Sequence, residues 1–171
     1  AGVMLRQAVR NHLLGLSSET EETSHLVVLE GNGTRFLDCV ESPQVLRVGS
    51  RTGMLLPAHS NSGGKALLAQ LTDAELRALY PRGLPPGPGR AVTDLRSLQR
   101  ELAVTRRRGY GVNMDESARG VSAVGQHVTD SDGFVLGALV VAAPTARCTR
   151  GRLRELAHVL GDVVARLEAE L

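Results

Sequence analysis

The chain has 171 residues, 42% of them hydrophobic, which is enough for one domain with a real core and short for two. Its 20 basic and 18 acidic residues leave a formal charge of +2, too even a balance to point to nucleic acid by charge alone. No apolar run reaches the roughly 18 residues a membrane helix needs, and no signal-peptide pattern opens the sequence, so a cytoplasmic domain is expected.

The opening "AGVMLRQAVRNHLLGL" carries Leu5, Ala8, Val9, His12, Leu13 and Leu16 at helical spacing and begins already periodic, as the end of a longer helix would. "HLVVLEGNGTRFLDCVE" predicts a β-hairpin turning around Asn32-Gly33, and Val45 to Val48 predicts a further short strand. Thr72 and Glu75 form a capping box for "DAELRALY". "RGLPPGPG" is a proline-glycine loop. Thr93 is expected to cap "DLRSLQRELAVTRRRG", whose Leu95, Leu98, Leu102 and Thr105 form one stripe and whose Gly109 ends the helix. "YGVNM", "GVSAVGQHVTD" and "FVLGALVVAA" are strands, the last two joined by the turn "DSDG". An amphipathic helix from Thr149 closes the chain. The order helix, strands, helices, strands, helix predicts an α+β fold with a mainly antiparallel sheet.

One stretch invites a functional reading. "LPAHSNSGGKALL" runs from a strand end straight into a helix through small residues, and its Lys65 is the sole lysine of the chain. It is not a nucleotide P-loop, because Ala66 follows Lys65 where a magnesium-binding hydroxyl belongs, and the upstream glycine spacing is wrong. Two readings remain. Either the glycines only make a tight turn, or Ser62, Gly63 and Gly64 let a ligand carboxylate approach the free N–H groups and positive dipole end of the helix.

Catalytic and metal-binding patterns are missing: the five histidines are scattered, and Cys39 and Cys148 are too few and too distant for a disulfide framework. No cofactor motif is present. His59, beside the loop, is expected to satisfy a loop carbonyl, and Cys39 to pack as a small hydrophobe. "RRR" at 106 to 108 reads as a solvated helix end.

Three blocks in this order, "ES" to "LRVGSRTGMLLPAHSNSGGKALL", "RGYGVNMDE" and "GVSAVGQHVTDSDGFVLGALVVAAP", resemble the effector-binding domain of the IclR (isocitrate lyase regulator) family of bacterial transcription factors. The resemblance covers nearly the whole chain. It implies a GAF/profilin-like antiparallel sheet of about six strands flanked by helices, forming a single effector-binding domain over residues 1–171. Residues 1–18 would be the end of a linker helix or the first helix, and the family's N-terminal winged helix-turn-helix is expected to be absent from this chain. It further implies a ligand-sensing, non-enzymatic, homodimeric or dimer-of-dimers module that meets DNA only through that other domain. Carried over by position, the effector pocket would comprise Val48, Leu56, Ser62, Gly63, Asn113, Val121, Ala123, Val140 and Ala142. Members binding small oxo-acids usually carry aspartate where Asn113 stands, and often Cys or Ser at 123, 140 and 142. Apolar side chains there disfavour a dicarboxylate or sugar acid, at roughly 1–3 kcal/mol per unpaired hydroxyl. An organic acid with an apolar or aromatic body is expected instead. The competing readings are a GAF-like enzyme using a reactive cysteine and a purely structural dimerisation domain.

Overall fold

A computed structural model describes residues 2–86 and 91–171, with side chains from residue 5 onward. The end of the proline-glycine loop and Ala1 lie outside the described residues. Helix α1 (Gly2–Thr20) leads into the hairpin β1 (Thr23–Glu30) and β2 (Gly33–Val40), followed by a short β3 (Leu55–Pro57). Helices α2 (Ser62–Leu68), α3 (Asp73–Leu79) and α4 (Leu95–Arg108) come next, then β4 (Gly111–Met114), β5 (Val121–Thr129), β6 (Val135–Pro144) and α5 (Arg150–Glu168). The six strands form one antiparallel sheet in the order β3-β2-β1-β6-β5-β4, so the expected α+β architecture stands.

Alternation along β5 and β6 sends side chains to two covered faces. Val124, Val128, Leu139, Val141 and Ala143 meet Val9, Leu13 and Leu16 of α1 and the apolar side of α5. Ala123, Ala138, Val140 and Ala142 face the other way, toward α2. Both faces being buried, the strands read as nearly continuous apolar runs. Ala8 is exposed, so the buried stripe of α1 is narrower than the spacing suggested.

Three local expectations need correction. The hairpin turns at Gly31-Asn32, where Gly31 takes φ +61°, and Glu30 pairs with Gly33, so the turn lies one residue earlier than Asn32-Gly33. Val45 to Val48 is not a strand. Val45 and Leu46 are 98% and 65% exposed, and the segment 41–54 runs as an irregular strap across the sheet face. Asp94, not Thr93, caps α4: its carboxylate accepts the Ser97 N–H at 2.8 Å, and a charged acceptor suits the positive helix end better than a hydroxyl. The Thr72–Glu75 capping box and the left-handed Gly109 cap are present.

Helix α2 lies directly against the sheet because glycines meet there. A Cβ on Gly63 would stand 2.6 Å from Val27, and one on Gly125 of β5 would stand 2.7 Å from the Gly63 nitrogen. One on Gly111 of β4 would stand 2.3 Å from the Ser62 carbonyl oxygen. No side chain fits in that seam, and every residue of α2 is buried.

Candidate functional site

Above β1, β5 and β6, the start of α2, the end of β4 and the strap close around a small cavity. His25, Phe36, Arg51, Asn61, Ser62, Asn113, Val121, Ala123, Val140 and Ala142 line it. Its volume of about 10 Å³ is room for roughly one water. Of the residues expected there, Ser62, Asn113, Val121, Ala123, Val140 and Ala142 are brought together. Val48 and Leu56 do not line it but belong to the apolar cluster that Ala123, Val140 and Ala142 also join, and Gly63 is spent on the helix–sheet seam.

Helix α2 starts with its N-terminus at the cavity. Asn61 caps it, accepting the Gly64 N–H at 2.7 Å, while its amide group donates to the Pro57 carbonyl at 2.8 Å. The Lys65 N–H bonds the Asn61 carbonyl, and the Ser62 and Gly63 N–H groups have no acceptor among the described residues. Asn113 does not stand at a pocket edge with free valences. It is buried, donates to Ser117 Oγ at 2.6 Å and accepts the Glu116 N–H at 2.9 Å, fixing the turn after β4.

Sequence reasoning missed His25, Phe36, Arg51 and Asn61. Arg51 is half-buried on the strap, lies 6.0 Å from the Phe36 ring centroid and donates to Ser117 Oγ at 3.2 Å. It makes no ion pair with any carboxylate among the described residues. Burial lowers its pKa from the ordinary guanidinium value. Its backbone N–H donates to His25 Nε2 at 3.1 Å. His25 is buried edge-on to Phe36, and burial, reinforced by the Arg51 charge, lowers its pKa to about 4. "GSR" in the strap was the available signal for Arg51; His25, inside an apolar strand, gave none.

Lys65 serves the packing of α2 rather than the cavity. Wholly buried, its ammonium ion-pairs with Glu101 of α4 and with Glu116 at 2.6 Å, and donates to the Val112 carbonyl at 2.8 Å. Glu116 also accepts the Met114 N–H, so this cluster occupies polar groups along the sheet's edge strand β4. His59 is likewise not as expected: both ring nitrogens are buried without a partner, and burial holds its pKa below the usual histidine range.

Neither thiol has the lowered pKa of an activated cysteine. Burial raises the pKa of both Cys39 and Cys148, and both are free. Among the described residues no cluster of potential ligands could hold a metal, and no helix is long and apolar enough to cross a membrane.

The family profile "Bacterial transcriptional regulator IclR C-terminal" matches residues 2–168. The chain belongs to the IclR family. It is 32% identical over 148 residues to the HTH-type transcriptional regulator XynR of Escherichia coli (strain K12), covering 84% of this chain and 57% of XynR. The IclR of Thermotoga maritima superposes with a TM-score of 0.85 at 28% identity, over 97% of this chain and 68% of that one. The inducer-binding domain of PobR from Acinetobacter, solved as a double mutant with 3-hydroxybenzoic acid, superposes with a TM-score of 0.86 at 25% identity, over 95% of this chain and 96% of that one. The chain spans little more than half the length of the curated IclR relatives it matches, which are transcriptional regulators and repressors. It is an IclR-type effector-binding domain in a transcription-regulating family.

Proposed function

We propose that this domain senses a small organic acid in the cavity beneath the strap. The ligand's carboxylate meets the Arg51 guanidinium and the Ser62 N–H, and its body lies against Val121, Ala123, Val140 and Ala142. The carrying observation is Arg51 itself: a half-buried cation lining the cavity, without a carboxylate of its own. A charged hydrogen bond there contributes about 1.5–3 kcal/mol, against about 0.3–1 kcal/mol from a helix dipole. Since α2 has seven residues, Arg51 outweighs the helix start. Support also comes from PobR, whose inducer-binding domain was solved with an aromatic acid.

A cavity of about 10 Å³ admits such a ligand only when the strap lifts. The strap is bonded to β1 and the α1–β1 turn by Arg51 N–H to His25, Thr23 Oγ1 to the Val48 carbonyl, Ser42 N–H to Thr23 Oγ1, and Ser42 Oγ and the Gln44 amide to the Glu21 carbonyl. Its end is tied to β2 by the Phe36 and Gly53 backbone and by Arg35, and the Arg51 side chain reaches Ser117. Widening the cavity gives the ligand a handle on conformation, since an effector shifts only an equilibrium between states it binds unequally. In the full regulator that shift alters how two copies pack and so the spacing of their DNA-binding domains, with α1 as the end of a linker helix or the first helix of this domain.

The test is a thermal-stability screen of small acids (branched-chain, short oxo-acids, benzoates) beside their amides. Acids raising the melting temperature where their neutral amides do not is the expected result. Equal effects of acid and amide would overturn the reading.

A further inference from the structure

His25 carries a hydrogen-bond donor that the folded chain leaves unused. Its Nε2 accepts the Arg51 N–H at 3.1 Å, so in the neutral ring the proton sits on Nδ1. Burial and the Arg51 charge keep the ring neutral, its pKa being about 4. The ring is 1% exposed and lines the cavity, and Nδ1 is buried with no partner. A buried N–H without an acceptor is unfavourable, and a ligand oxygen relieves it.

The neighbouring polar side chains sharpen the chemistry. Asn61 Oδ1 is engaged by the Gly64 N–H and Asn113 Oδ1 by the Glu116 N–H. Arg51 is a donor only. What these side chains and the start of α2 still offer is mainly donors, the Arg51 guanidinium, the Ser62 amide and His25 Nδ1–H, with the Ser62 hydroxyl able to donate or accept.

We infer that His25 selects the ligand, donating Nδ1–H to a second acceptor oxygen beyond the carboxylate, so that the site takes an oxygenated acid and rejects an amino acid. This rests on the acid-binding reading of the cavity. An ammonium group at that position would face the Arg51 charge and the His25 N–H donor. The same imidazole holds the Arg51 backbone through Nε2, so the residue that reads the ligand also anchors the strap.

The test uses three compounds of one skeleton: 4-methyl-2-oxopentanoate, 4-methylpentanoate and leucine, titrated calorimetrically into the parent, His25→Gln and His25→Asn. Glutamine places its amide where Nε2 stood and keeps an acceptor for Arg51. Asparagine keeps a donor at the Nδ1 position. For the parent, the oxo acid should bind about tenfold or more tightly than the plain acid, with leucine not binding. That ratio should fall to about twofold or less in His25→Gln and persist in His25→Asn. An unchanged ratio in His25→Gln, or leucine binding like the oxo acid, overturns the role of His25 alone. No binding of either acid to the parent overturns the acid-binding reading together with it. Nitrogen-15 spectra of the parent give an independent check: a His25 ring protonated on Nδ1 is expected, and one protonated on Nε2 overturns the assignment.

Discussion

The ammonium of Lys65 stands 2.6 Å from the carboxylate of Glu116, fully buried, while Glu116 keeps 13% of its side-chain surface exposed. Removing one partner leaves the other charge buried, which costs about 3–5 kcal/mol. Lys65→Met should lose stability of that order in urea unfolding. The double variant Lys65→Met/Glu116→Gln should recover part of it, since only Glu101, whose side chain is 28% exposed, is then left without its partner. A loss under about 1 kcal/mol in the single variant would show the cluster to be dispensable.

The role of Lys65 was not legible in the sequence. Its neighbours "SGG" resemble a ligand loop, and its partners Glu101 and Glu116 lie 36 and 51 residues away. Such pairing is set by tertiary packing, which no local pattern carries. The same holds for the glycines, whose reason is the close approach of α2 to β4 and β5.

That seam gives a second prediction. Gly125→Ala should destabilise the fold severely, because its Cβ would lie 2.7 Å from backbone atoms of Ser62 and Gly63. Gly15→Ala, in α1 with nothing within 4 Å of the new Cβ, should instead stabilise by about 0.5–1 kcal/mol. Melting temperatures moving in opposite directions bear this out; a tolerated Gly125→Ala contradicts the seam.

The third prediction concerns pH. His25, its pKa lowered to about 4, faces Arg51 and Asp38 as its charged neighbours. Unfolded, it titrates near 6.5 and takes up a proton that the folded protein refuses. Stability is therefore full above pH about 6.5 and declines as pH falls toward 4, by roughly 2 kcal/mol at pH 5. His59 and His127, also lowered by burial, add to the same decline. His25→Gln should remove its share, flattening the loss between pH 7 and pH 5 in urea unfolding. Equal slopes in parent and variant would contradict it.

The sheet and its helices were legible because period-2 and helical spacing, the Thr72–Glu75 box and Gly109 are local signals. Six of the nine expected pocket positions share one cavity because alternation on β5 and β6 puts Val121, Ala123, Val140 and Ala142 on a common face. The strap was not legible. Its apolar Val45 and Leu46 mimic a strand, and only the fold shows that this segment carries the cation.

The central claim, that Arg51 receives an effector carboxylate, is tested most directly by titrating one stabilising acid from the screen into the parent and Arg51→Gln by calorimetry. The account predicts affinity weakened about 10- to 100-fold in the variant, with the unliganded melting temperature little changed, since Arg51 makes no ion pair to lose. Equal affinity in both proteins would contradict it.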